Sequence, residues 1–176
     1  MSTEKPVENI ILIGMPGAGK STVGVVLAKI LNFDFIDTDL LIQKEQGETL
    51  QHIIDERGNE AFIAVEGGVL ERLEAHHAVI STGGSAVYSE AAMRHLREIG
   101  TVVYLSVSYD EMCARIENLD ERGVVMRAGA ELGLRGMYAE RAPLYEQFAH
   151  INVCVDGASI TQNAQNIVAA LKCCEN

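Results

Sequence analysis

The sequence predicts an α/β protein of three layers, in which a parallel sheet lies between helices. Short apolar runs alternate with segments of helical periodicity along the chain. This alternation is typical of parallel strands joined by right-handed helical crossovers. The apolar runs also lack the strict polar alternation of a sheet with one wet face, as expected of strands buried on both sides. We therefore expect one sheet with helices on both faces.

The apolar runs define the elements of this fold. Five of them have the length of strands: residues 10–13, 33–36, 78–80, 102–107 and 151–155. Apolar residues with helical spacing lie between and after them, most clearly Phe62, Val65, Val69 and Leu73, and Ile160, Ala164, Ile167, Val168 and Leu171. Ser108 with Glu111, and Ser159 with Gln162, match the capping box that begins a helix.

Length and composition bound the class of protein. A chain of 176 residues that is 48% hydrophobic suits a single domain, 1–176, with its own core. No apolar run approaches the roughly 20 residues needed to span a bilayer. Residues 1–8 have no signal-peptide core and are interpreted as a flexible lead. A net charge of −11 argues against nucleic-acid binding. We expect a cytoplasmic monomer with no membrane contact.

The stretch G-M-P-G-A-G-K-S-T (14–22) carries the strongest functional signal. It matches the P-loop pattern GxxxxGK[ST]. It also lies between a strand run and a helical segment, which is the context that the motif requires. Backbone N–H groups of such a loop can surround a phosphate, and the helix behind it adds a positive dipole end. The motif predicts a nucleoside triphosphate site whose residues are Gly14, Pro16, Gly17, Ala18, Gly19, Lys20, Ser21 and Thr22.

Two acidic residues follow the second strand run, at the edge of the sheet where ligands of parallel folds bind. Asp37 and Asp39 suit two separate tasks. One carboxylate can hold a metal ion through water, and the other can accept a proton from a substrate hydroxyl near the γ-phosphate. The alternative is a helix cap, and Asp37 could cap a helix that starts near Leu40 and still serve the metal.

Gly83 and Gly84 follow the third run, where paired glycines allow close backbone approach to a ligand. A plain tight turn is the alternative.

A charged segment follows the fourth strand run. Residues 118–129 contain glycine and have poor periodicity, which favours a mobile lid over phosphates; an ordinary surface loop is the alternative. An acidic chain that binds anionic phosphates needs positive charge gathered at one site. Residues 115–141 hold five arginines, although a surface ion pair is the alternative for each. They are Arg115, Arg122, Arg127, Arg135 and Arg141.

Taken together and in order, these pieces resemble the shikimate kinase family, within the nucleoside-monophosphate-kinase-like branch of P-loop proteins. The matching segments are G-M-P-G-A-G-K-S-T (14–22), D-T-D (37–39), S-T-G-G-S (81–85), the flap around Arg122, and E-R-A-P-L-Y (140–145). The resemblance covers about residues 9–172. It implies a five-stranded parallel sheet of order 2-3-1-4-5. It also implies transfer of the γ-phosphate of ATP to a hydroxyl of shikimate, a small cyclic polyol carboxylate.

The resemblance further implies roles around the nucleotide. Lys20 would clamp the phosphates, and Ser21 would bind Mg²⁺ with Asp37 behind it. Arg122 would close with the lid onto the transferring phosphate. Arg115 matches an arginine near the adenine ring.

Around the acceptor, the resemblance implies that Asp39 holds the reacting hydroxyl and acts as its base. The backbone of Gly83 and Gly84 would contact the ring. Arg141 would bind the substrate carboxylate.

Three features depart from the family. Its E-x-x-F-R-like helix carries an arginine that also binds the carboxylate, and Ile63 stands at that position here. Ser85 replaces the third glycine of a G-G-G segment, and R-G-V-V (122–125) replaces the lid's R-P-L-L. A charged hydrogen bond is worth roughly 1.5–3 kcal/mol, so its loss predicts a KM for shikimate about one to two decades higher. Another cation could compensate, and Arg57 is the nearest in sequence.

These features favour an ATP- and Mg²⁺-dependent kinase of a small hydroxyl-bearing acid, shikimate. One alternative is the same fold and chemistry with a different polyol or hydroxy acid. Another is a non-catalytic ATP- or ligand-sensing module. Retention of Asp39, Arg122 and Arg141 argues against that module, because binding alone needs no hydroxyl base.

Overall fold

The computed structural model describes residues 8–117 and 133–174. The expected lid, 118–129, and its Arg122 lie outside the described residues, as do residues 1–7 of the expected flexible lead. Glu8 is already tied to the fold, because its carbonyl oxygen accepts a hydrogen bond from the His77 N–H at 2.7 Å.

Five parallel strands form one sheet of order β2-β3-β1-β4-β5. This confirms the fold class and the strand order that the resemblance implied. In chain order the strands are β1 (Asn9–Ile13), β2 (Asp34–Asp37), β3 (Ala78–Ser81), β4 (Thr101–Ser106) and β5 (Ile151–Cys154).

Helices cover both faces of the sheet. They are α1 (Lys20–Leu31), α2 (Thr38–Gln46), α3 (Leu50–Glu71), α4 (Glu90–Ile99), α5 (Tyr109–Glu117), α6 (Gly133–Phe148) and α7 (Ile160–Cys174). A short 3₁₀ turn, Ala86–Tyr88, separates β3 from α4. Within the described ranges, no helix is long and apolar enough to cross a membrane.

The helix starts follow from their caps. The hydroxyls of Ser108 and Ser159 accept hydrogen bonds from the N–H groups of Glu111 and Gln162, which confirms both predicted N-terminal caps. The helix α2 begins at Thr38, two residues before the predicted start near Leu40, and the cap by Asp37 that the sequence suggested is confirmed.

The apolar residues form two clusters. The main core surrounds the sheet, and β1 is buried along its whole length. A second cluster of Ile42, Ile53, Phe62 and Val69 joins α2 to α3. The helix α3 bends at Gly58, whose φ of 81° and ψ of 169° are not helical. Leu73, predicted within this helix, lies two residues beyond its end and is buried in the main core.

Candidate active site

The turn between β1 and α1 has the backbone of a phosphate-binding loop. Gly14, Gly17 and Gly19 have φ values of 149°, 77° and 88°, a region that side chains disfavour. Gly14 also lacks space, because a Cβ there would lie 2.6 Å from the carbonyl oxygen of Leu105. The backbone conformation therefore favours glycine at all three positions, and the close approach to β4 requires it at Gly14.

Lys20 is the first residue of α1 and is buried at the base of this loop. Its Nζ donates to the carbonyl oxygens of Gly14 (2.8 Å) and Met15 (2.9 Å). Burial lowers the pKa of Lys20 to about 8, while the Asp39 carboxylate opposes that decrease and Arg141 adds to it. A phosphate in the loop would favour the charged ammonium again.

Ser21 and Asp37 meet beside the loop. The Ser21 hydroxyl donates to Asp37 Oδ2 at 2.9 Å and lies 3.2 Å from the Ser81 hydroxyl. The other carboxylate oxygen of Asp37 caps α2, accepting from the N–H groups of Asp39 (3.0 Å) and Leu40 (3.4 Å). The cap thus uses one oxygen of Asp37, and the other faces Ser21. Hydroxyl and carboxylate oxygens are the ligands that Mg²⁺ prefers, so these residues fit that ion.

A cavity of about 520 Å³ runs across the carboxyl ends of the strands. The P-loop lies between its two ends, because β1 is the central strand. The β3 end is lined by Asp39, Phe62, Glu66, residues 82–85 and Arg141. The β5 end is lined by Arg115, Ile116, Ala158, Ile160 and Asn163. One cavity therefore joins the predicted phosphate site to most of the predicted acceptor residues.

Gly83 and Gly84 bring the backbone close to the charged side chains of the β3 end. A Cβ on Gly84 would lie 3.0 Å from the guanidinium of Arg141. A Cβ on Gly83 would collide with Glu66 Oε1 and lie 3.1 Å from Asp39 Oδ1. A side chain at Gly83 would occupy the space beside Asp39, and one at Gly84 would press on Arg141.

Arg141 is 1% exposed and is held by tyrosines. Its Nε donates to the Tyr88 hydroxyl at 3.1 Å, and that hydroxyl donates to Glu140 at 3.1 Å. The Tyr145 hydroxyl donates to the Gly84 carbonyl oxygen at 2.6 Å. The segment E-R-A-P-L-Y (140–145) thus fixes both Arg141 and the glycine turn. Sequence reasoning missed Tyr88, which no local motif marks.

Glu66 is a second residue that sequence reasoning missed. It is 1% exposed and lines the β3 end. The Ser85 hydroxyl donates to its Oε2, and among the described residues its Oε1 has no hydrogen-bond partner. Burial raises the pKa of Glu66 to about 7, and the Ser85 hydrogen bond opposes that increase. Ser85, a departure from the family's glycine, therefore has a partner in this chain.

The missing arginine is not replaced by Arg57 in this structure. Arg57 forms an ion pair with Glu48 and donates to Gln46 at 3.3 Å, and it does not line the cavity. Ile63 does not line the cavity either. It is half-buried against the second cluster. Among the described residues that line the cavity, Lys20 and Arg141 are the cations near the glycine turn.

At the β5 end, Arg115 lies beside the P-loop. Its guanidinium donates to the carbonyl oxygens of Gly17 (3.3 Å) and Val155 (3.1 Å) and to Glu111 (2.9 Å). Asn163 is another residue that the sequence did not single out. It is 3% exposed, and its Oδ1 has no hydrogen-bond partner in the described part of the chain.

A P-loop on the central strand of a parallel sheet, with a buried lysine and a carboxylate in one cavity, defines a phosphotransferase of the P-loop class. The family model for shikimate kinase matches residues 16–172. The chain therefore belongs to the shikimate kinase family.

Individual relatives agree with this assignment. The chain is 35% identical over 162 residues to a shikimate kinase of Rhodococcus jostii (strain RHA1), covering 92% of this chain and 96% of the relative. It is 38% identical over 166 residues to one of Colwellia psychrerythraea (strain 34H / ATCC BAA-681), covering 93% and 96%. The structure of shikimate kinase from Acinetobacter baumannii in complex with shikimate matches with a TM-score of 0.86 at 31% identity, covering 95% of this chain and 94% of that one.

Proposed function

We propose that this chain transfers the γ-phosphate of ATP to a hydroxyl of shikimate with the help of Mg²⁺. The observation that carries the proposal is one cavity holding the P-loop lysine, Asp39 and Arg141 in a member of the shikimate kinase family. The Acinetobacter baumannii relative binds shikimate, as the description of its structure states.

On the nucleotide side, the chain's task is to hold and neutralise phosphates. The P-loop N–H groups and Lys20 Nζ bind the β- and γ-phosphates. Ser21 and Asp37 hold Mg²⁺, which when bound offsets negative charge on the phosphate oxygens. Arg115 lies where it can contact the adenine.

On the acceptor side, Asp39 accepts a hydrogen bond from the reacting hydroxyl and takes its proton as the phosphate is transferred. Arg141 pairs with the acceptor carboxylate, and tyrosine hydrogen bonding holds that guanidinium in place. The backbone of Gly83 and Gly84 contacts the ring. Arg122, from the lid, adds charge at the transferring phosphate.

A different hydroxy acid or polyol is the second candidate acceptor. Two observations favour it: the position of the family arginine holds Ile63, and the buried acid Glu66 lies at the β3 end. Both features reduce the positive charge that faces the acceptor, so the second candidate is an acceptor with a less anionic end.

The monomeric state and the cytoplasmic location expected from the sequence stay predictions. Size-exclusion chromatography with light scattering tests the first, and fractionation of the source cells tests the second.

The test is ADP release from Mg·ATP with shikimate titrated to high millimolar concentration, using the wild type and Lys20→Met. Saturable, shikimate-dependent release that disappears in a folded Lys20→Met variant is expected. Release at normal rates by that variant would contradict the P-loop assignment. Release with another hydroxy acid but not with shikimate would establish the second candidate. ATP binding without turnover on any acceptor would support the alternative of a non-catalytic ATP- or ligand-sensing module.

A further inference from the structure

Asn163 places a polar group where the fold alone favours an apolar one. It lies in the first turn of α7, whose inward residues Ala164, Ile167 and Leu171 belong to the main core. Its side chain is 3% exposed, and among residues 8–117 and 133–174 its Oδ1 has no hydrogen-bond partner. A buried acceptor without a partner destabilises a fold, so this amide is explained by a partner that the protein binds.

The partner must enter the β5 end of the cavity, because Asn163 lines it. The same end is lined by Arg115, whose side chain is 26% exposed, and by Ile160, which is 45% exposed although it is a large apolar residue. A guanidinium and an aliphatic side chain are surfaces against which a flat aromatic ring packs well. The P-loop beside them fixes where the phosphates of the same ligand lie.

The chemistry of the amide selects among such rings. An asparagine side chain offers one acceptor and one donor side by side. The edge of a 6-aminopurine offers the complementary pair, an amino donor and a ring-nitrogen acceptor, and asparagine binds it with two hydrogen bonds. A 6-oxopurine offers two acceptors on that edge, so one half of the amide would stay unpaired.

We propose that Asn163 recognises the base of the nucleotide and makes the enzyme prefer 6-aminopurine over 6-oxopurine triphosphates. This inference rests on the proposed nucleotide site, but it does not depend on which acceptor is phosphorylated. Asn163 Oδ1 accepts from the 6-amino group, and its amide N–H donates to the ring nitrogen.

The experiment compares nucleotide binding without acceptor in the wild type, Asn163→Leu and Asn166→Leu. Titration calorimetry with Mg·ADP and Mg·IDP measures the preference. Leucine has the same number of side-chain heavy atoms and the same branching as asparagine, and it removes the unpaired acceptor. Asn166 is the matched control, because it lies one turn further along α7, accepts from Gln162 at 2.9 Å and does not line the cavity.

We expect the wild type and Asn166→Leu to bind ADP about tenfold more tightly than IDP, the factor that about one hydrogen bond supplies. Asn163→Leu should lose that preference by weakening ADP binding alone, with a melting temperature without ligand equal to or above that of the wild type. Equal binding of ADP and IDP by the wild type, or an unchanged preference in Asn163→Leu, would overturn the inference and leave the nucleotide site intact. Failure of the wild type to bind either nucleotide would overturn the proposed function itself.

Discussion

The charge of Glu66 affects how strongly the β3 end of the cavity repels an anion. Burial raises the pKa of Glu66 to about 7 and Asp39 adds to the increase, while the Ser85 hydrogen bond, Arg141 and Lys20 oppose it. A neutral Glu66 adds no repulsion toward an acceptor carboxylate, whereas an ionised one does. Glu66 therefore repels an anion at this end of the cavity less below neutral pH than above it.

Comparison of the wild type with Glu66→Gln measures the raised pKa of Glu66 as a pH-dependent difference in the free energy of unfolding. The unfolded carboxyl titrates near 4.5 and the folded one near 7. The folded state thus binds the extra proton between these values, and this contribution to stability is present below pH 4.5 and lost as the pH rises through about 7. Relative to Glu66→Gln, the wild type should lose about 3 kcal/mol between pH 4.5 and 8. Guanidinium unfolding at pH 4.5, 6, 7 and 8 measures this difference.

Glutamine preserves the shape of the side chain and an acceptor oxygen for Ser85, so the comparison isolates the charge. Glu71→Gln is the control, since Glu71 lies on the same helix, is exposed, and accepts from Ser89 at 3.3 Å. The pH dependence that Glu66→Gln shows in excess of Glu71→Gln is the part that burial of Glu66 causes. A stability difference for Glu66→Gln that changes with pH no more than that for Glu71→Gln would show that Glu66 titrates as an ordinary surface acid.

At the scale of elements, α3 carries the buried acid Glu66 and also Ile63, which stands where the family has an arginine. Ile63 and Glu66 are three residues apart on this helix, so their side chains emerge on neighbouring parts of its surface. The Ser85 hydroxyl, from the glycine turn, donates to Glu66, so one oxygen of this buried acid has a partner although position 63 of its helix holds no cation.

Substitution Ile63→Arg should lower the KM for shikimate by about tenfold or more, with little change in kcat. A guanidinium at this position would lie one helical turn from Glu66, which lines the cavity, and we expect it to turn from the second cluster toward the acceptor carboxylate, where a charged hydrogen bond contributes roughly 1.5–3 kcal/mol. Steady-state kinetics with shikimate measures the effect. The melting temperature should fall, because Ile63 leaves the second cluster.

Ile54→Arg serves as the control for this prediction. Ile54 packs against the same cluster from the same helix and does not line the cavity. It should lower stability without improving the KM. If the folded Ile63→Arg variant shows no gain in kcat/KM for shikimate, the acceptor site has been rebuilt for another substrate.

Comparison of elements shows what the sequence could predict. All ten strand boundaries lie within one residue of a predicted apolar run, because buried parallel strands are continuous in sequence. The P-loop could equally be predicted from the sequence, since its glycines, lysine and serine lie within one short segment. The hydrogen bond between Ser85 and Glu66 joins residues 19 apart, and that between Arg141 and Tyr88 joins residues 53 apart. Such contacts depend on how α3, α6 and the glycine turn assemble, which no local pattern encodes.

At the scale of the whole molecule, the candidate active site lies at one end of the sheet, and a buried side chain that stabilises the fold lies at the opposite end. The cavity lies at the carboxyl ends of the strands, as is general for open parallel sheets. At the opposite end, Asn9 is fully buried, and its Nδ2 donates to the carbonyl oxygens of Ala75 and Ile99, both at 2.8 Å. Its Oδ1 accepts from the N–H of Ala78 at 3.1 Å. One side chain thus ties β1 to the start of β3 and to the end of α4.

Substitution Asn9→Ala should therefore destabilise the fold without impairing catalysis. It leaves two buried carbonyl oxygens and one N–H without their partner, a loss of about 3 kcal/mol. For a chain of this size that corresponds to a melting temperature lower by about 6–12 °C. Asn9 lies about 13 Å along β1 from Ile13, which leads into the P-loop, so kcat/KM well below the melting temperature should match the wild type. Asn152→Ala, at an exposed position of β5, is the control and should change neither quantity. A folded Asn9→Ala variant that keeps its melting temperature but loses activity would show that the two ends of the sheet are coupled, and would contradict the separation argued here.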